Sequence, residues 1–336
     1  MAVFNGESFV EQAVASVFAQ TLADLELVVI DDGSTDTTPA LLEELAARDP
    51  RLVIRRHSNR GRTASLNAGV RLARAPLVAR LDADDVCLPD RLARQREFLD
   101  RHPAVALVGG AVRLIDDRGR AFEESRYPVS DAEIRSAFAY TTPFVHSSVM
   151  FRRGAFDQVG GYRTCFAEAE DHDLWLRLAE QHQVANLPRP VVEYRIHPDQ
   201  ATAKKFELMA VGLVAARLSA RARAEDRPDP LDGVGAVSED WLLSHGVDRR
   251  EIVTATVKFA TWLARVMVRA GYAAGAEAVL ADAEARARSE PRPGALLAEV
   301  YRARAKLRAL QGSKARARLE RGRALLAERV RPRSSA

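Results

Sequence analysis

Two strand-like runs that end in clustered acids constrain this chain more than any other feature. Residues 25–30 form an apolar run that stops at Asp31-Asp32-Gly33-Ser34-Thr35-Asp36, and residues 77–81 form another that stops at Asp82-Ala83-Asp84-Asp85. Carboxylates bunched at one end of a strand are poor core material and good material for holding a divalent cation against phosphates. Around these runs the pattern turns helical. Phe9, Val10, Ala13, Val14 and Val17 recur at three- and four-residue spacing, so residues 7–19 read as an amphipathic helix. Further helices are predicted over 37–47, with Pro39 in the first turn, over 61–73, and from 89 to about 102. Strands are predicted at 51–56 and 105–114. The βαβαβ order implies an α/β fold with a mostly parallel sheet and helices on both faces. Ligands of such sheets lie beyond the carboxyl ends of the strands, where both acid clusters fall.

At 336 residues the chain is long enough for two folded units. No apolar stretch approaches the ~20 residues that span a bilayer. The N-terminus lacks the basic-then-apolar layout of a signal peptide. Cys87 and Cys165 stand far apart, without metal-ligand spacing, so the cytoplasm is the expected compartment. The net charge of +4 conceals an asymmetry: residues 286–336 carry fifteen Lys or Arg against four Asp or Glu, a net of +11 that leaves −7 for residues 1–285. Beyond about residue 200, Ala and Arg dominate and helical periodicity takes over. Helices are expected over 272–286 and 294–330, broken near Pro291-Arg292-Pro293. We therefore divide the chain at 1–205 and 206–336, the second part α-helical with a basic tail over 286–336.

An ordered set of motifs across the first two hundred residues resembles family 2 glycosyltransferases. It opens with Phe4-Asn5-Gly6-Glu7 and the Asp31 cluster, and continues through Asn59-Arg60-Gly61, Leu66-Asn67-Ala68-Gly69 and the Asp82 cluster. His146-Ser147-Ser148, Glu170-Asp171-His172-Asp173 and Tyr194-Arg195-Ile196-His197 complete it. The resemblance implies a GT-A fold that transfers a sugar from a nucleotide diphosphate (UDP, dTDP or GDP) to an acceptor hydroxyl, with inversion. Its commonest setting is bacterial surface-polysaccharide or glycolipid synthesis, with a saccharide or lipid-linked acceptor. It also implies a divalent cation, Mn²⁺ or Mg²⁺, held by Asp84, with Asp82 nearer the ribose and His197 a further candidate ligand. Asp31 and Asp32 would lie by the base and ribose, with Arg62 contacting base or phosphate. Asp171 matches the family's base, with Glu170 able to trade roles. His146 and Asp173 would face the acceptor.

Each motif has a plainer reading. Asp31 to Ser34 could be a strand end followed by a helix cap, and Glu170-Asp171 a helix start whose acids suit the dipole. A nucleotidyltransferase or a non-catalytic sugar-nucleotide-binding protein is the alternative function. Trp175 reads as core. Members of the family normally begin with an apolar strand and a proline, yet only Met1-Ala2 precede the segment matching Val3. The first strand is thus expected to be missing, through an upstream start or a truncated product. The basic tail reads as a solvated helical face or as a peripheral contact with anionic lipid on the inner face of the membrane. Nucleic acid fits least, since Tyr301 is the sole aromatic among those basic residues.

Overall fold

In the computed structural model, which describes residues 1–329, the first acid cluster ends the middle strand of a three-stranded parallel sheet. β1 (Ala2–Val3), β2 (Leu27–Asp31) and β3 (Leu52–Arg56) lie in that order, joined by α1 (Val10–Phe18) and α2 (Thr38–Arg48). α1 buries Val10, Ala13, Val14 and Val17, the stripe that its periodicity predicts. Each connection is a helical crossover, so the strands run parallel.

A second sheet follows α3 (Arg62–Leu72). Its order is β4 (Leu77–Ala79), β8 (Met150–Arg152), β6 (Val105–Ile115), β9 (Gln183–Arg195) and β5 (Val86–Cys87), with β7 (Ala121–Ser125) also on β6. Only β6 and β9 are parallel here; the other four ladders are antiparallel. The mixture arises because β6 turns back at residues 116–119 into β7, a hairpin that needs no crossover. Pro190 sits inside β9, and the β6–β9 register slips on both sides of its partner Ala111, as expected where a strand residue has no N–H to give. α4 (Arg91–Arg101), α5 (Asp131–Ala137), α6 (Arg153–Gln158) and α7 (Glu170–Gln181) complete this unit, Met1–Arg195. Trp175 on α7 is fully buried among Phe144, Phe151, Leu107 and Leu178, a core residue as its sequence setting suggests.

The first strand is present as two residues. Ala2 pairs with Ile30 and Val3 with Asp31, and the Met1 ammonium donates to the Val28 carbonyl at 2.9 Å. Burial pushes that amino group down to about 5. Met1 also lines an apolar cavity of about 420 Å³ with Leu27 of β2, Val70 of α3, and Leu77 and Val78 of β4. The two sheets form separate ladders.

The second unit begins at Ile196 and is helical: α8 (Ala201–Lys204), α9 (Phe206–Ala224), α10 (Glu239–Ser244), α11 (Arg249–Arg269), α12 (Ala273–Arg288), α13 (Gly294–Leu310) and α14 (Lys314–Arg329). The helix predicted over 294–330 breaks at Gly312, whose φ of 77° lies in the left-handed region open to glycine; residue 330 lies outside the described residues. Glu284 of α12 accepts from Arg304 and Tyr301 of α13. Burial would raise its carboxyl, but these donors outweigh that and hold it near 2. Among the described residues, no helix is long and apolar enough to cross a membrane.

Candidate active site

The second acid cluster sits in the turn between β4 and β5. Carboxylate oxygens of Asp82, Asp84 and Asp85 lie within 4.8 Å of one another. Three hard oxygen donors in that space suit Mg²⁺ or Mn²⁺ rather than a softer metal. Asp85 is buried, and burial together with the neighbouring Asp84 and Asp82 charges drives its carboxyl well above the usual range. Asp82 goes the other way. Burial opposes its ionisation, yet the paired Arg80 guanidinium overcomes this and lowers it. Ser147 Oγ donates to Asp82 Oδ2 at 2.9 Å and accepts the Asp82 amide at 3.0 Å.

Beneath this turn lies a buried polar scaffold to which the sequence analysis assigned no role. Arg195 donates through its amide to Asp85 Oδ1 and through Nε to the Asp84 carbonyl, while its guanidinium reaches Gln12 Oε1 and the Asp116 carbonyl. Arg91, fully buried, donates to the carbonyls of Arg80 and Val149 and to Gln95. Arg91 opens a helix, an ordinary place for an arginine that no motif marked, whereas Arg195 falls inside the motif Tyr194-Arg195-Ile196-His197 with no role attached to it.

The first cluster is held by its own chain. Asp31 Oδ1 accepts the Ser34 amide at 2.8 Å and Oδ2 meets Arg56 at 3.1 Å. Asp32 Oδ1 accepts the Arg60 amide at 2.8 Å and lies 3.3 Å from His57. Gly33 has φ 81°, and a Cβ there would stand 2.8 Å from the Asn59 amide nitrogen, so this turn requires glycine. Asn5 and Glu7 bind the same loop: Asn5 Oδ1 accepts the Thr35 amide, and Glu7 Oε2 accepts from the Thr37 amide and hydroxyl. The opening motif and the Asp31 motif are two halves of one hydrogen-bonded loop pair.

The start of α7 brings most of the remaining residues together. Arg62 pairs with Glu170 at 2.9 Å and with Glu168 at 2.5 Å, both carboxylates buried. Asp171 keeps 21% of its side chain exposed. Its Oδ1 accepts the His172 amide at 2.7 Å, and Oδ2 stands 3.9 Å from His146 Nδ1. Burial, then the Glu170 charge, raises the Asp171 carboxyl to about 7. Arg62 and Arg80 act on Asp171 as well, and His146 and Arg62 on Asp82, so both carboxylates belong to one electrostatic cluster. Asp173 turns inward: it is fully buried against Arg177 at 2.6 Å, and the structure does not bring it to an accessible surface. His197 belongs to the second unit, where its amide donates to Gln200 Oε1 at 3.2 Å.

Comparison with known proteins supplies the family. The model of "Glycosyl transferase family 2" matches residues 1–160. The amylovoran biosynthesis glycosyltransferase AmsE of Erwinia amylovora is 33% identical over 197 residues, 58% of this chain and 73% of that one. The O-antigen biosynthesis glycosyltransferase WbnJ of Escherichia coli is 30% identical over 201 residues, 59% and 78% respectively. Among solved structures, S. aureus TarS in complex with UDP aligns with a TM-score of 0.52 at 16% identity, covering 97% of this chain and 88% of that one. The mannosyltransferase PcManGT from Pyrobaculum calidifontis, in complex with GDP-Man and Mn²⁺, aligns at 0.52 with 20% identity, covering 97% and 85%. These structural likenesses establish the GT-A fold. With relatives this similar over most of their own length, the chain belongs to glycosyltransferase family 2 and is an enzyme.

Proposed function

We propose that the enzyme moves a glycosyl group from a nucleoside diphosphate sugar to an acceptor hydroxyl with inversion, using Asp171 as general base. The observation that carries this reading is Asp171 itself, a partly exposed carboxyl raised to about 7 beside the Asp82–Arg80 pair. A base with that affinity can take a hydroxyl proton near neutral pH and release it again. As the acceptor oxygen bonds to the anomeric carbon, the bond from that carbon to the diphosphate oxygen breaks and its electron pair leaves with the nucleotide. The acceptor proton passes to Asp171. Asp84, with Asp82 and Asp85, would hold a divalent cation, which as a Lewis acid offsets charge on the leaving diphosphate. Asp31 and Asp32 would border the nucleotide, and Arg62 pairs with Glu170 beside the base. UDP-GlcNAc bound to TarS and GDP-Man bound to PcManGT make UDP- and GDP-linked donors the first to try.

A thermal-shift panel with UDP, dTDP and GDP, each with and without Mn²⁺, tests this reading. One nucleotide at ~100 times its dissociation constant should add ~2.7 kcal/mol of stability, only with metal, and Asp84→Ala should abolish the gain. No response from any nucleotide would overturn it.

For the acceptor side we propose peripheral docking on anionic lipid through α14, in keeping with a lipid-linked acceptor. Leu319, Leu325 and Leu326 are more than half exposed, while Ala317, Glu320 and Ala324 form its buried face. Exposed Arg316, Arg318 and Arg323 flank those leucines, the pairing that suits an interfacial helix. Flotation should carry the protein with vesicles containing phosphatidylglycerol and not with phosphatidylcholine alone, and Leu319→Glu with Leu326→Glu should release it. Equal flotation with both lipids, or none, would remove this reading.

A further inference from the structure

Tyr162 is absent from every sequence motif considered above, yet it touches the base through one intermediary. Its hydroxyl lies 2.7 Å from His146 Nε2, and the other ring nitrogen, Nδ1, faces Asp171 Oδ2 at 3.9 Å. The ring of His146 cannot turn freely. It packs edge-on against Trp175, centroids 5.7 Å apart, and tilted against Tyr162 at 5.5 Å. Tyr162 is fixed in turn by Asn67, whose Oδ1 accepts the Tyr162 amide at 3.0 Å and whose Nδ2 donates to its carbonyl at 2.8 Å. Gly161 permits this clamp: it has φ 69°, and a Cβ there would stand 3.0 Å from Asn67 Oδ1 and from the Phe156 ring.

Two proton arrangements fit the short contact. If Nε2 carried the proton, the phenol would have to accept, the weaker of its two roles, and the Nδ1 lone pair would point at a carboxylate oxygen, an unfavourable pairing of two acceptors. If the phenol donates, Nδ1 carries the proton and presents an N–H dipole to Asp171. We propose that Tyr162 is a positioning residue that locks His146 in its Nδ1–H tautomer, so that a neutral imidazole supports the ionised form of the Asp171 base.

The surrounding charges favour a neutral ring. Burial, then the Arg80 guanidinium, lowers His146 well below the ordinary histidine range, with Arg62 and the Met1 ammonium acting in the same sense and Asp82 against them. Burial raises the Tyr162 hydroxyl, with Glu170, Asp171 and Asp82 adding to the effect and Arg80 opposing it, so the phenol keeps its proton. Glu170, Arg62 and Arg80 are the other charges acting on Asp171. At 3.9 Å the Nδ1–Asp171 approach is a charge–dipole contact rather than a hydrogen bond. Its influence on Asp171 is correspondingly a bias and not a switch.

The inference rests on Asp171 being the base, and its test is independent of turnover. Nitrogen-15 spectra of the full chain, without nucleotide, report which ring nitrogen of His146 is protonated. Carbon-13 spectra of the Asp171 carboxyl report its titration. Native protein should show Nδ1–H. In Tyr162→Phe the Nε2 lone pair loses its donor, so the share of Nε2–H should grow against the opposing pull of the Asp171 carboxylate on Nδ1–H, and the Asp171 midpoint should rise by up to about one pH unit, a tenfold change in proton affinity. His146→Asn, which retains a donor near Nδ1, should keep a midpoint close to native. An unchanged tautomer and midpoint in Tyr162→Phe would overturn the assignment, as would Nε2–H in the native protein. Should the tautomer shift as expected while no nucleotide stabilises the protein, the transferase reading fails and the Tyr162 assignment stands.

Discussion

Asp171→Asn is expected to lower the transfer rate by ~10²–10⁴-fold, the usual contribution of a positioned general base. Nucleotide-dependent stabilisation should survive, because the asparagine leaves the Asp82–Asp84–Asp85 cluster untouched. In the native enzyme the rate should fall about tenfold per pH unit below about 7, as protonation removes the base. This limb should vanish in the variant. The linkage to stability has a definite sign. The folded-state value lies above the ordinary aspartate value of 3.8, so the native fold gains from protonation of Asp171 at low pH and loses that gain as pH rises through about 7. Asp171→Asn should therefore unfold at a higher temperature than the native protein at pH 8, a cost that active-site carboxylates commonly impose on stability. Rate and melting temperature measured across pH 5–9 check both expectations, and a variant with full activity would exclude Asp171 as the base.

Arg91→Leu should be the most damaging substitution beneath the site. Replacing a buried polar group by an apolar one is tolerable when its partners can be replaced too. Here two of the partners are backbone carbonyls, of Arg80 and Val149, and a third is Gln95, itself buried and bonded to the carbonyls of Val108 and Ser148. Loss of the guanidinium leaves the Arg80 carbonyl and Gln95 Oε1 short of their donor in a closed interior. At about 1–3 kcal/mol for each unsatisfied group, we expect a loss of about 3 kcal/mol. For a unit of this size that corresponds to roughly 6–12 °C in melting temperature. Calorimetry of the full chain checks it. Because Arg80 also pairs with Asp82, the variant should show weaker metal-dependent nucleotide stabilisation at temperatures where it remains folded.

The helical periodicity of α1, the crossovers around β2, and the placing of both acid clusters at strand ends follow from sequence alone. They are local properties: a repeat of 3.6 or 2, a proline in a first turn, a run of acids where apolar residues stop. Asp82, Asp84, Asp171 and His146 could be named for the same reason, since their motifs are contiguous. Tertiary structure decided everything that depends on residues far apart in the chain. It joined the Asn5 and Asp31 motifs into one loop pair across some thirty residues, and it set Arg62 between Glu168 and Glu170 more than a hundred residues away. It turned Asp173 inward while leaving its neighbour Asp171 partly exposed, because successive positions on a helix point about 100° apart. It also made Tyr162, Arg91 and Arg195 central to the site. A side chain's chemistry can be read from its identity, but its partners, its burial and its proton affinity are set by what the fold packs against it.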